Sequence, residues 1–159
     1  MIIINWDNLP ENIKNDEVKK YYDIIKDKKG SLIVKRLFDI LVSFLLLIII
    51  SPLFIIFSIM IKLDSKGPVL FKQNRVTEYG RVFKIFKFRT MVENADKKGS
   101  QVTVENDSRI TRMGKLLRKV RLDEIPQLIN ILIGDMSFVG TRPEVQKYVD
   151  LYTDEMKAT

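Results

Sequence analysis

The hydrophobic positions of the chain are concentrated in one uninterrupted segment. Residues 40–61 contain no charged side chain, whereas charged and apolar residues are interspersed over most of the remaining sequence. A membrane-crossing helix needs roughly 20 consecutive apolar residues, so this segment is long enough to enter a bilayer. It lies too far from the N-terminus, and is too long, to be a cleaved signal peptide. The pattern therefore predicts a membrane-embedded segment within residues 31–64.

Ser51-Pro52 divides this apolar segment into two halves. Proline removes a backbone donor and clashes with the preceding turn, which predicts a kink or break at this point. At about 1.5 Å per residue, each half spans only about half of a hydrocarbon core of roughly 30 Å. Basic residues flank both ends, Lys35-Arg36 before and Lys62 and Lys66 after, whereas a single crossing usually shows asymmetry. We therefore expect a re-entrant helix-break-helix hairpin; a kinked span is the alternative, because transmembrane helices tolerate proline.

The segments on either side of the hairpin predict short elements of a mainly helical α+β fold. In residues 1–30, an accessory segment, Asn15-Asp16 are expected to cap a helix that ends at Gly30. Beyond Asp64, residues 69–73 and 82–91 are typical of two short strands joined by a turn. A polar loop is expected between Glu93 and Ser108.

A basic amphipathic helix is expected after this loop. Ser108 is its candidate cap, with Ile110, Met113, Leu117 and Val120 on one stripe and basic side chains on another. Such a helix is typical of a membrane interface. An ordinary surface helix with a solvated basic face is the alternative.

Composition limits the chemistry that the chain can perform. The 159 residues have 27 Lys and Arg, 20 Asp and Glu, no His and no Cys. These absences exclude disulfides, a thiolate nucleophile, a zinc finger and a Ser-His-Asp relay. The basic excess lies after residue 64, and residues 122–159 reverse it to an acidic excess. This order suits a protein that holds an anion and supplies carboxylates to it.

The segment RLDEIPQ, residues 121–127, is the most informative constellation. Residues that precede proline avoid the helical region, whereas proline favours the first helical turn, so a helix should begin near Pro126 and end at Gly134. Asp123 and Glu124 then lie just before a helix N-terminus, where negative charge is favoured. With basic residues such as Arg118 before them, they suit a nucleophile and metal-ligand pair; simple helix capping is the alternative.

Two further basic features are candidates for phosphate binding. Arg142 precedes Pro143 in a turn-rich stretch, which holds it extended and suits a guanidinium aimed at a phosphate; a structural turn is the alternative. In the second predicted strand, aromatic residues alternate with bases. Either they stack on nucleic acid or they pack in a core, and beside a membrane segment we favour the core.

These residues together resemble the bacterial sugar transferases, the monotopic phosphoglycosyl transferases. The resemblance covers residues 35–150, nearly three quarters of the chain. Each motif alone is modest, but six motifs in the order of the family are specific. They are KRLFD (35–39), the apolar segment with Ser51-Pro52, GPVLFKQNR (67–75), KFRTM (87–91), RLDEIPQ (121–127) and GDMSFVGTRPE (134–144).

The resemblance implies an enzyme that moves a sugar phosphate from a UDP-sugar to polyprenyl (undecaprenyl) phosphate, releases UMP and initiates a surface glycan. It implies that Asp123 is the nucleophile, which forms a covalent phosphosugar intermediate. Glu124 would be its partner, and the two carboxylates would hold Mg²⁺. Lys87, Arg118 and Arg142 would bind the substrate phosphates.

The resemblance also implies where the protein works and with what. Residues 65–159 would be a cytoplasmic catalytic domain attached to the inner membrane of a bacterium. The partners would be the UDP-sugar, the polyprenyl phosphate and membrane lipid, with no nucleic acid; a homodimer is compatible with the family.

Three features depart from the family pattern. Thr77 stands where many relatives have Gly, and Thr141 replaces the first Pro of a Gly-Pro-Arg-Pro sequence. Relatives also continue beyond Thr159 through a Pro-Gly-containing segment. The alternative function is therefore a truncated or catalytically impaired family fragment that acts as a membrane-anchored scaffold for lipid or partner proteins.

Overall fold

The computed structural model describes residues 4–11, 13–95 and 107–158. Most of the predicted polar loop before Ser108 lies outside these residues. The helices are α1 (Asp16–Ile25), α2 (Lys29–Asp64), α3 (Arg112–Lys119), α4 (Gln127–Ile133) and α5 (Gln146–Val149), and the strands are β1 (Leu70–Val76) and β2 (Val82–Phe88). The mainly helical α+β fold is confirmed.

α2 carries the whole apolar segment and remains helical through Pro52. The prediction of two helices separated by a break is therefore wrong. Pro52 leaves the Ile48 carbonyl without its usual helical donor, and the Ser51 hydroxyl donates to that oxygen at 2.8 Å. The Ser-Pro pair thus supplies a replacement for the hydrogen bond that proline removes. The re-entrant course of the segment stays a prediction.

The exposure of α2 indicates a membrane environment. The helical stretch Asp16–Asp64 is long and apolar enough to cross a bilayer, and only 6% of its most apolar window is buried in the protein. A core helix of a soluble protein would be mostly buried. Large side chains such as Ile49 (70% exposed) instead point away from the folded unit.

The N-terminal half of α2 is attached to the folded unit by polar contacts. The three charged residues of the KRLFD motif all reach the end of α4 and the segment after it. Asp39 is only 3% exposed although it lies on a largely exposed helix. The contacts are Lys35 Nζ to Ser137 Oγ (2.5 Å), Arg36 Nη1 to Ile131 O (2.6 Å), Arg36 Nη2 to Leu132 O (2.8 Å) and Phe138 N to Asp39 Oδ1 (3.3 Å).

The C-terminal half of α2 is attached mainly by apolar packing. The rings of Phe54 and Phe57 lie 4.7 and 5.9 Å from that of Phe88, which is 1% exposed. Ile61, Met113 and Leu117 complete this core. Polar contacts accompany the packing. Arg89 Nη2 donates to the Ile61 carbonyl at 3.3 Å and to the Ser65 carbonyl at 2.6 Å, and Asp64 Oδ2 accepts from Met113 N at 2.9 Å.

β1 and β2 form an antiparallel hairpin in which Leu70 pairs with Phe88 and Val76 with Val82. The predicted strands and the turn between them are confirmed. Phe83 (7% exposed) and Phe88 are buried, so the aromatic residues of β2 pack in a core, as favoured from the sequence.

Two predicted helix boundaries are wrong, although the Asn15 cap is confirmed by its side chain accepting from Val18 N at 2.8 Å. Gly30 lies inside α2, because a 3-10 turn at Lys26–Lys28 continues the helical path from α1. The cap of α3 is Thr111, whose hydroxyl accepts from Gly114 N at 3.0 Å, and not Ser108. Ser108 and Arg109 lie in a turn instead, and Ile110 pairs with Met91 in an isolated bridge.

Candidate functional site

The acidic pair is presented by a sharp turn between α3 and α4. Arg121 has a left-handed backbone (φ 58°), which ends the path of α3, and Leu122–Glu124 form one 3-10 turn. Pro126 then caps α4, so the helix begins where the sequence predicts. The turn places both carboxylates beside β2 rather than on a regular helix face.

Three of the predicted site residues meet directly. Glu124 Oε1 accepts from Lys87 Nζ at 2.9 Å and from Arg142 Nη2 at 2.6 Å. Lys87 comes from β2 and Arg142 from the loop after α4, so three separate parts of the chain converge on one carboxylate oxygen. This cluster is the centre of the candidate site.

The two cations determine the charge state of Glu124. Burial raises the pKa of this carboxyl, but hydrogen bonds from Lys87 and Arg142 outweigh burial and leave its pKa below the ordinary value. Glu124 is therefore ionised at neutral pH. Its negative charge holds two positive side chains close together.

Asp123 has a different environment. It is 9% exposed, and it forms no ion pair with the described residues. Burial raises the pKa of its carboxyl above the ordinary value, while the charges of Lys87 and Arg118 act in the opposite direction. A desolvated carboxylate next to cations is a group that can act as a nucleophile toward a bound electrophile.

Arg118 lies at the edge of this cluster and is oriented by Thr90. Its Nε donates to Thr90 Oγ1 at 2.8 Å. Gly114 permits this approach, because a Cβ at that position would overlap the Thr90 carbonyl oxygen. Arg118 is thus held on α3 near Asp123, whereas Lys87 and Arg142 contact Glu124.

The loop that carries Arg142 is fastened to the β-hairpin at both ends. Near its start, the Thr77 hydroxyl donates to the Asp135 carbonyl at 2.9 Å, and Arg81 Nη1 binds the Asp135 carboxylate at 2.7 Å. Near its end, Val76 N donates to Glu144 O at 2.8 Å. Thr77, a departure from the family pattern, therefore takes part in holding the loop. The loop is fixed without a proline at position 141.

Asn130 joins the strand of Lys87 to the helix after the acidic pair. Its side chain is fully buried (0% exposed); Oδ1 accepts from Phe86 N and Nδ2 donates to Lys84 O, both at 2.9 Å. Its carbonyl also accepts from Asp135 N at 2.9 Å, at the start of the Arg142 loop. Sequence reasoning missed this residue, although an amide enclosed by apolar residues in the interior of the helix QLINILI was a signal.

The acidic pair fits Mg²⁺ only together with oxygen atoms from another source. Within residues 4–11, 13–95 and 107–158, no group of three or more Asp, Glu, His or Cys side chains is close enough to hold a metal ion. Mg²⁺ is commonly bound by one or two carboxylates, several waters and substrate phosphates. Asp123 and Glu124 are compatible with a site of this kind, in which water and substrate phosphates supply the remaining oxygen ligands.

Comparison with known proteins gives a consistent result. A family model described as bacterial sugar transferase matches residues 30–159. An Aeromonas hydrophila UDP-N-acetylgalactosamine-undecaprenyl-phosphate N-acetylgalactosaminephosphotransferase is 46% identical over 123 residues, which are 77% of this chain and 29% of that protein. The exopolysaccharide production protein PSS of Rhizobium leguminosarum is 47% identical over 112 residues, 70% of this chain and 56% of the relative.

A third relative is matched over more of its own length. A putative undecaprenyl-phosphate N-acetylgalactosaminyl 1-phosphate transferase of Bacillus subtilis is 40% identical over 125 residues, 79% of this chain and 70% of that protein. This chain thus spans less than two thirds of the length of the first two relatives and 70% of the third.

Proposed function

Because the chain belongs to the bacterial sugar transferase family, we propose that it transfers a sugar phosphate from a UDP-sugar to polyprenyl phosphate and releases UMP. The observation that carries the proposal is the meeting of Lys87 and Arg142 at Glu124, beside the buried Asp123. Two cations that share one carboxylate oxygen, next to a desolvated carboxylate, suit a diphosphate substrate and a carboxylate nucleophile.

In the first step, a carboxylate oxygen of Asp123 attacks the phosphorus that bears the sugar. A bond forms between this oxygen and phosphorus, and the bond from phosphorus to the bridging diphosphate oxygen breaks. UMP leaves with the electron pair of that bond. Lys87, Arg118 and Arg142 offset the negative charge of the transferred group. Electrostatic stabilisation of this kind is the main way in which such side chains lower the barrier to phosphoryl transfer.

In the second step, a phosphate oxygen of the polyprenyl phosphate attacks the same phosphorus. Its bond to the Asp123 oxygen breaks, the carboxylate is regenerated, and a polyprenyl diphosphate sugar is formed. The two steps together need no His or Cys, and the chain has neither.

Asp123 and Glu124 are the residues that would hold Mg²⁺. The bound ion would neutralise diphosphate charge and orient the phosphates for in-line displacement. Glu124 accepts from both Lys87 and Arg142, so these two side chains would be shared between the carboxylate and the substrate.

The attachment of α2 supports a re-entrant topology at the inner membrane, with the site on the cytoplasmic side. Residues 35–39 bind the end of α4 and the loop after it, while Ile61 packs on Phe88. Both ends of the apolar segment therefore contact the same folded unit. A single crossing would separate these ends by the thickness of the bilayer.

Single-Cys labelling tests this topology in a chain that has no natural Cys. Ile33→Cys and Lys66→Cys in sealed inner-membrane vesicles should react with a membrane-impermeant maleimide from the same side. Labelling from opposite sides would overturn the re-entrant course.

The proposed activity is tested with inner-membrane fractions that contain the full chain. Undecaprenyl phosphate, Mg²⁺ and a panel of UDP-sugars are supplied, and UMP and lipid-linked sugar are measured. We expect both products to form with at least one donor and to increase in equal amounts. Stable membrane insertion without UMP release from any donor would overturn the enzyme and support the scaffold function. The panel would also identify the sugar.

A further inference from the structure

Arg89 is a buried cation that the proposed reaction does not use. It directly follows β2, is 5% exposed and forms no ion pair with another described residue. Its Nε and Nη1 atoms are buried without a hydrogen-bond partner among the residues that the structure describes. A buried charge is costly unless other groups compensate it, and here the compensation comes from the end of α2.

The compensating groups are oxygen atoms at the C-terminal end of α2. Arg89 Nη2 donates to the carbonyls of Ile61 and Ser65 at 3.3 and 2.6 Å, and to Ser65 Oγ at 2.8 Å. The last carbonyls of a helix form the negative end of its dipole, so they attract a cation. Arg89 therefore fastens the end of the apolar helix to the end of β2.

Gly67 leaves room for this guanidinium. Its backbone has a positive φ of 119°, a conformation that favours glycine, and a Cβ at this position would overlap Arg89 Nη1. The turn after α2 therefore accommodates Arg89 only with a glycine at position 67. The two residues belong to separate motifs, GPVLFKQNR and KFRTM, and folding brings them together.

Thr90, the next residue in the chain, contacts α3 and the residue that caps it. The Thr90 carbonyl accepts from Thr111 N at 3.1 Å, and the Thr90 hydroxyl accepts from Arg118 Nε at 2.8 Å. Gly114 lies against the same carbonyl oxygen. Because Arg89 and Thr90 are consecutive residues, the anchoring of Arg89 determines where the Thr90 hydroxyl meets Arg118.

A second contact joins α2 to α3 directly. Asp64 Oδ2 accepts from Met113 N at 2.9 Å, in the first turn of α3, where negative charge is favoured. Asp64 thus joins the two helices at the start of α3. The Arg89-Thr90 pair joins them again near the end of α3, at Arg118.

We propose that Arg89 is a positioning residue for the transfer reaction, because it fixes Arg118 relative to the end of α2 through Thr90. The inference rests on the proposed function, in which Arg118 offsets negative charge on the transferred group. Arg89 is buried, so it acts through Arg118 and does not itself contact substrate. The apolar helix thereby determines the position of a cation beside Asp123.

The Nε–H group of Arg118 gives a readout that does not require turnover. In the detergent-solubilised full chain with ¹⁵N-labelled arginine, its NMR signal is the one that Arg118→Lys removes. Its exchange with solvent should be slow in the wild type, and about tenfold faster in Thr90→Val, which removes the acceptor, and in Arg89→Lys, which displaces it. Unchanged exchange in Arg89→Lys would contradict the proposal.

Gly67→Ala displaces the Arg89 guanidinium without removing a polar group, and it should speed exchange at Arg118 in the same way. The matched control is Gly80→Ala. Gly80 also has a positive φ (73°), but a Cβ there would make only an ordinary contact, 3.8 Å from Ile13 Cδ1. Gly80→Ala should leave the Arg118 signal unchanged. Equal acceleration by both substitutions would show a general loss of rigidity and overturn the inference.

The rate of transfer distinguishes positioning from a loss of folded protein. Arg118→Ala should lower kcat by about 100-fold, and Arg89→Lys should lower it by about tenfold in the wild-type background. In the Arg118→Ala background, Arg89→Lys should lower kcat by no more than about twofold, because its effect passes through Arg118. The same loss in both backgrounds is the result that contradicts positioning.

The two readouts separate this inference from the proposed function. A wild-type chain that releases no UMP would overturn the function, whereas the exchange measurements test the link from Arg89 to Arg118 in either case. Turnover by the wild type with equal losses in both backgrounds would overturn the inference alone.

Discussion

Asp123 and Glu124 are consecutive residues of one short turn, but their side chains lie in different surroundings. Glu124 is contacted by Lys87 and Arg142, and the pKa of its carboxyl is lowered even though burial acts against this. Asp123 is more deeply buried, has no ion pair with a described residue, and has a raised pKa. The comparison assigns different tasks to the pair. In the proposed reaction, Glu124 organises the cations and Asp123 forms the covalent bond.

The difference arises from the way that the turn is built. A 3-10 turn orients successive side chains about 120° apart, so neighbouring residues face different parts of the molecule. The fixed loop after α4 then brings Arg142 to Glu124. Two adjacent carboxyl groups can therefore have pKa values shifted in opposite directions without any difference in residue type beyond one methylene.

Asp123→Asn should have the largest effect on transfer. It removes the proposed nucleophile, so UMP release should fall by about 10³-fold or more. The control Asp27→Asn, at an exposed position before α2, should leave the rate unchanged. A rate for Asp123→Asn within tenfold of the wild type would remove the distinction between the two carboxylates.

Glu124→Gln should have a smaller effect, about 10- to 100-fold on kcat/KM. The amide oxygen still accepts a hydrogen bond, but the charge that holds Lys87 and Arg142 together is lost. Glu155→Gln, at an exposed acid near the C-terminus, is the matched control. If Glu124→Gln were as inactive as Asp123→Asn, the two residues would not have separate tasks.

Stability should depend on pH in opposite ways at the two positions. The lowered pKa of Glu124 means that its ionised form stabilises the fold above the ordinary carboxyl range, and that this contribution is lost as the pH falls through the lowered pKa. The raised pKa of Asp123 means that its ionised form opposes folding. That penalty disappears as the pH falls from the raised pKa toward the ordinary value.

Thermal unfolding of the detergent-solubilised variants measures this contrast. At neutral pH, Asp123→Asn should raise Tm and Glu124→Gln should lower it, the latter by an amount equivalent to about 1 kcal/mol or less because Arg142 is exposed. Both differences should shrink on acidification. Shifts of the same sign at neutral pH would contradict the opposite environments.

The smallest effect on transfer is expected for a substitution at Arg36, which does not contact the acidic pair. Arg36→Ala removes two hydrogen bonds to the end of α4, and it should disturb the Arg142 loop and hence Glu124, but not Asp123. We expect a loss of up to about tenfold in transfer and about 1–3 kcal/mol in stability. Arg36→Lys, which keeps one donor, should recover part of the activity. An effect larger than that of Glu124→Gln would contradict this ranking.

Local patterns predicted the parts of the fold whose causes are local. The hairpin strands flank a turn, Asn15 accepts from a nearby backbone N–H, and Pro126 begins a helix, so each could be placed from a few neighbouring residues. The wrong boundaries have non-local or compensating causes. Pairing of Ile110 with Met91 moves the cap of α3 to Thr111, and the Ser51 hydroxyl keeps α2 helical at Pro52.

In the candidate site, too, features with local causes could be predicted from the sequence, and features that depend on distant contacts could not. Asp123, Glu124 and Arg142 were predicted from residue type near a proline, Arg118 from the basic residues before the acidic pair, and Lys87 through the family resemblance. The groups that position them depend on contacts between distant segments, such as Asn130 on the edge of β2. Arg36 is a similar case, because its partners lie in α4 and only folding brings them together. The periodicity of hydrophobic residues in a sequence does not predict such hydrogen bonds between distant segments.

The most direct test of the account is the intact mass of the chain after incubation with a productive UDP-sugar and Mg²⁺ in the absence of acceptor lipid. The account predicts an added mass of one sugar phosphate, located on Asp123 by peptide mapping and removed when undecaprenyl phosphate is added. Asp123→Asn should show no adduct, whereas Glu124→Gln should form it slowly. Turnover by a wild-type chain that never carries this mass, or an adduct located on Glu124, would contradict the assignment of Asp123 as the nucleophile.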